Sequence, residues 1–146
     1  MKRSQRLQQV VDFTAEQESE AAKILAQATR QIDQTLAQIE AMRQFRLDYC
    51  ARLQQQGMSM NAMQLNEYRA FLANLGRVIE EQETALQKMR QEHAALQRSW
   101  REIHCRRKGI GKVQRKFAMQ EQKLMEKRMQ SELDDRVAAR RRKKQC

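Results

Sequence analysis

Positions spaced alternately three and four apart stay on one face of a supercoiled helix, and two long stretches of this chain keep that spacing. The first visits Leu7, Val11, Thr14, Glu18, Ala21, Leu25, Ala28, Ile32, Thr35, Ile39, Met42, Arg46, Tyr49 and Leu53. The second visits Leu65, Tyr68, Leu72, Leu75, Ile79, Gln82, Leu86, Met89, His93, Leu96, Trp100, Ile103, Arg107, Ile110, Gln114 and Phe117. Neither run breaks phase, so each predicts one long helix with a narrow apolar seam. The fold class that follows is all-α: an antiparallel two-helix coiled-coil hairpin, with helix 1 over about 4–55 and helix 2 over about 62–140.

The turn falls at about 56–61. Gly57 suits the left-handed residue that ends many helices, and either Ser59 or Asn61 can cap the second helix. A connection this short makes the helices antiparallel neighbours, each arm being roughly 75–80 Å long. The register predicted from the turn places Met42 against Ile79, Tyr49 against Leu72, Leu25 against Leu96, and Trp100 against the small Ala21. Residues past about 120 then have no counterpart on the first arm and form a C-terminal helical overhang. Gly109 and Gly111, each about 1 kcal/mol worse than Ala in a helix, are expected to loosen or kink it.

The flanks of the seam differ. Near the turn, one side carries Gln38, Phe45, Phe71 and Val78, and the other Arg43, Cys50, Arg69, Gly76 and Glu83. Two phenylalanines and a valine exceed what a two-stranded seam covers. Either they mark a partner site, or Phe45 and Phe71 fold over to widen the core.

Composition narrows the class. Charged residues make up 32% and aromatics 5% of 146 residues, too little apolar surface for a thick core. Four Gly and no Pro argue against disorder. The chain is therefore read as a single coiled-coil domain. Its charge is uneven: residues 1–105 hold 14 Lys/Arg against 13 Asp/Glu, whereas 106–146 hold 15 against 5. The basic C-terminal extension is either a solvated helix face with a frayed terminus or an electrostatic contact for an acidic protein surface or nucleic acid. Phe117 is its only aromatic residue, which counts against base stacking.

Little here suggests chemistry. Cys50, Cys105 and Cys146 are far apart, as free thiols in a reducing cytoplasm would be. His93 reads as a seam residue. His104 beside Cys105 resembles a metal pair without further ligands, so no metal and no cofactor is expected. A two-helix fold offers no concave site to exclude water, and an enzyme is not expected. No apolar stretch is long enough to insert in a membrane.

The segments Phe45-Arg46-Leu47-Asp48-Tyr49, Gly57, Tyr68-Arg69-Ala70-Phe71 with Leu75, Ile79 and Gln82, and Ser99-Trp100-Arg101-Glu102 together resemble the flagellar export protein family FliJ. The resemblance implies a cytoplasmic, non-catalytic, stalk-like component of the flagellar type III export apparatus, at the inner membrane but not inserted in it. It also implies three partners: the export ATPase ring (FliI-like), the membrane export gate protein (FlhA-like) and export chaperones. Carried over by position, the gate contact falls on Gln38, Met42, Phe45, Tyr49, Phe71, Leu75, Val78 and Gln82. Gln82 departs from the histidine of some members. The basic residues Arg106, Arg107, Lys108, Lys112, Arg115 and Lys116 are candidates for contact with the ATPase or another acidic partner. Two rival readings are a helical nucleic-acid-binding protein using the basic tail and a structural coiled coil that self-associates through the aromatic flank.

Overall fold

The computed structural model describes residues 2–145; Cys146 lies outside them. Two α-helices, α1 (Arg3–Gln56) and α2 (Ala62–Gln145), are joined by a single 3-10 turn at Gly57–Ser59. This is the predicted all-α hairpin, with α2 extending five residues beyond the expected end. Burial follows the seam. Every position of the first heptad run except Arg46 is buried or half-buried, as is every position of the second.

The turn departs from expectation in its backbone. No glycine among the described residues has a positive φ, so Gly57 does not end α1 in a left-handed conformation. Instead α1 tightens through Gln56 (φ −110°, ψ −2°), and the extended Met60 (φ −92°, ψ 142°) redirects the chain. Ser59 Oγ donates to the Gln56 carbonyl at 2.7 Å, satisfying a group that the end of α1 leaves open. Asn61 caps α2: its Oδ1 accepts the Gln64 amide at 2.8 Å, while its own amide donates to Gln64 Oε1 at 3.3 Å. This reciprocal pair is a capping box built from two amide side chains.

Gly109 and Gly111 do not interrupt α2, which is continuous through both. Glycine lowers helix propensity but keeps its N–H and C=O, so the hydrogen-bond ladder survives where proline would break it.

Contacts group the chain into two units, Glu20–Trp100 and Met1–Ser19 with Arg101–Cys146. In the first, Ile39, Ile79 and Leu86 form the core, with Ile32, Met42 and Leu75 packed on it. Buried Thr35 turns its hydroxyl onto the Gln31 carbonyl at 2.8 Å, which removes the cost of a polar atom in the seam. The Thr29–His93 contact lies one residue from the predicted register, and Thr35 Oγ1 lies 3.5 Å from Met89 Sδ. Thr29 Oγ1 donates to the Leu25 carbonyl and lies 3.0 Å from His93 Nε2, so the imidazole donates from Nε2.

The second unit has a different interior. Its buried residues are Ser4 and Thr14, both polar. Thr14 bonds back to the Val10 carbonyl at 2.7 Å. Ser4 is held by Glu121, the residue at which covering by α1 ends: from 122 to 145 every α2 residue is exposed.

Candidate functional site

Within the Glu20–Trp100 unit, one flank gathers four aromatic rings. Phe45 lies 4.5 Å from Tyr49 and 6.2 Å from Phe71 between ring centroids; Tyr49 lies 5.2 Å from Phe71 and 5.7 Å from Tyr68. The i, i+4 step from Phe45 to Tyr49 puts both on one face of α1, and Tyr68 and Phe71, three apart, do the same on α2. Phe45 and Phe71 nevertheless stay 45% and 43% exposed. They brace each other over the edge of the seam, widening it without closing it. Met42 and Leu75 pack on the core beneath. Val78 and Gln82 are half-buried and Gln38 is exposed. Tyr68 is an addition to the residues expected on this flank. It is a seam position that also joins the ring cluster through Tyr49.

The opposite flank is polar. Arg43 is hydrogen-bonded to Glu83, which raises its pKa further, and both side chains are substantially exposed. The Arg46 guanidinium lies against Gly76, 3.2 Å from the point where a Cβ would stand. An arginine at a seam position thus leaves the core by passing over a glycine, which explains its exposure.

In the other unit, Glu18 accepts hydrogen bonds from His104 Nδ1 (3.0 Å) and from Arg107 Nε. The His104 bond, then that from Arg107, holds its carboxyl below the usual range against the opposing effect of desolvation. Glu121 accepts from the Ser4 amide (3.2 Å) and the Ser4 hydroxyl, and these bonds lower its pKa. Its carboxylate thereby caps the start of α1, where open N–H groups and the helix dipole favour negative charge. Of the basic candidates, Arg107 is thus half-buried and engaged, while Arg106, Lys108, Lys112, Arg115 and Lys116 are exposed. The structure brings Arg107, Lys108 and Arg115 together along one cleft with Val11, Gly111 and Gln114. Phe117 lies under the Arg3 guanidinium, 5.9 Å from ring centroid to Cζ.

Among the described residues, no three His, Cys, Asp or Glu side chains come together to hold a metal ion. Cys50 and Cys105 are free thiols. No helix among these residues is long and apolar enough to cross a membrane.

The fold places the chain in the class of all-α, coiled-coil-like helical hairpins. The family model of the flagellar FliJ protein matches residues 2–145, and the chain belongs to that family, a non-enzymatic component associated with flagellar protein export. No curated protein and no solved structure matches it.

Proposed function

We propose that the chain is a stalk that links the export ATPase ring to the membrane export gate and escorts export chaperones. The observation that carries this reading is the exposed pair Phe45 and Phe71, backed by Tyr49 and by a packed core. Aromatic side chains held rigid but open to solvent favour a partner, because little ordering entropy remains to be lost on binding. In this reading the gate meets the flank formed by Gln38, Met42, Phe45, Tyr49, Phe71, Leu75, Val78 and Gln82. The basic residues between Arg106 and Lys116 meet the acidic surface of the ATPase, where steering by charge speeds encounter.

Phe45→Asp with Phe71→Asp tests the flank. Gate capture and motility should fall while far-ultraviolet circular dichroism stays helical; undiminished capture would remove the assignment. Reversing Arg106, Lys112 and Lys116 to Glu should weaken ATPase binding and its salt dependence, leaving the Glu18–Arg107 contact in place. Binding that is unchanged in strength and salt response would discard the basic contact.

A further inference from the structure

Gly111 sits in the interior of α2 without any packing reason. A Cβ added there meets nothing within 4 Å, so no neighbour requires glycine. Apart from proline, glycine is the least favourable residue for a helix interior. What surrounds it is specific. Its i−4, i−3, i+3 and i+4 neighbours are Arg107, Lys108, Gln114 and Arg115, the positions that border a residue on a helix surface. These four, with Val11 of α1 as an apolar wall and Gly111 as floor, line an open cleft of about 350 Å³.

Arginine and lysine side chains are donors only, and the Gln114 amide adds two more N–H groups. Glu18 holds Arg107 by Nε, which fixes the guanidinium and leaves its Nη groups to donate. The cleft is therefore bordered mainly by donors around bare helix backbone, a lining that suits an anion. Its three cations, one of them matched by Glu18, leave a surplus that balances the charge of a phosphate monoester, about −1.5 to −2. A tetrahedral group with several acceptor oxygens also uses donors on both sides of the gap, which a single planar carboxylate does not.

We propose that the Gly111 cleft binds a phosphate group. The missing side chain lets that group approach the helix between its turns, and Arg107, Lys108, Gln114 and Arg115 close on it. A volume at the lower end of the range for small-ligand sites suits one phosphate with part of the molecule that carries it. The site shares three side chains with the proposed acidic-partner contact. Arg106, Lys112 and Lys116 do not line it, so the two ideas can fail separately.

The test is titration of the full chain with inorganic phosphate at constant ionic strength, read by calorimetry and by ³¹P line width, with chloride as the control anion. Saturable phosphate binding is expected. Gly111→Leu, whose Cβ meets nothing within 4 Å, occupies the gap and should weaken binding about tenfold or more, equivalent to about 1.4 kcal/mol. Gly109→Leu, which makes the same helix-favouring change two residues away with nothing within 4 Å, should bind like the unaltered chain. Equal affinity in the two variants, or a phosphate response that chloride reproduces, would overturn the proposal. Two further arms identify the carrier if phosphate binds. Tighter binding of a nucleoside diphosphate points to a soluble ligand. Co-sedimentation with phosphatidylcholine vesicles containing phosphatidate, lost in Gly111→Leu, points to a lipid headgroup.

Discussion

The two units of this hairpin carry the same heptad pattern but are held by different forces. In Glu20–Trp100 the buried positions are chiefly Ile39, Leu72, Ile79 and Leu86, and the aromatic rings add to them. In the unit formed by the two terminal segments, burial goes to Ser4 and Thr14, and the cross-helix contacts include Ser4–Glu121 and Glu18 with His104 and Arg107. Apolar burial is nondirectional and scales with area, whereas a hydrogen-bonded carboxylate depends on geometry and ionisation. One unit should therefore respond mainly to lost volume and the other to lost charge.

The largest expected effect is in the apolar unit. Ile79→Ala, at a site only 5% exposed, should cost about 2–4 kcal/mol in urea denaturation, since the cavity adds to the lost transfer energy. Glu18→Gln should cost less, about 1–2 kcal/mol, because a charged acceptor is lost in a place that water partly reaches. If Glu18→Gln proved the costlier change, the contrast between the units would be wrong.

Acid should separate them further. Glu18 and Glu121 have folded pKa values below their ordinary 4.5. Their contribution is thus complete above the ordinary carboxylate range and is lost as pH falls through the lowered folded values. Hydrogen exchange between pH 6 and about pH 3, corrected for intrinsic rates, should show protection falling first near Ser4, Glu18 and His104 and later near Ile39 and Ile79. Loss in the opposite order would count against the contrast, and Glu18→Gln with Glu121→Gln should flatten it.

The turn gives the smallest effects. Asn61→Ala removes the capping box and should lower stability by about 1 kcal/mol. Gly57→Ala should raise it by about 0.5 kcal/mol by restricting the unfolded chain, because the native φ is not positive. A destabilising Gly57→Ala would mean that the turn uses a left-handed residue after all.

Much of this was legible in the sequence, for physical reasons. Periodicity reports burial directly, so the seam, the two helices and the place of the turn follow from spacing alone. Asn61 as a cap was legible as one of two candidates because capping chemistry is local. Glycine misled at Gly57, where its freedom permits a left-handed turn but does not compel one. The Glu18 contacts were hidden because the partner of a carboxylate in a heptad run is unknown until the other helix is placed, and Glu121 lies beyond the last position of the second run. The aromatic flank was visible as Phe45 and Phe71, yet Tyr68 was masked by its seam position.

The bond between Ser4 and Glu121 spans 117 positions along the chain. Closing a loop costs more entropy as the loop lengthens, so contacts beside Gly57–Ser59 are the cheapest to make from an unfolded chain. Folding should nucleate there and close outward like a zip, with the start of α1 receiving its carboxylate last. On a ribosome the first helix must wait, its opening N–H groups facing water, until Glu121 has been synthesised and has cleared the exit tunnel.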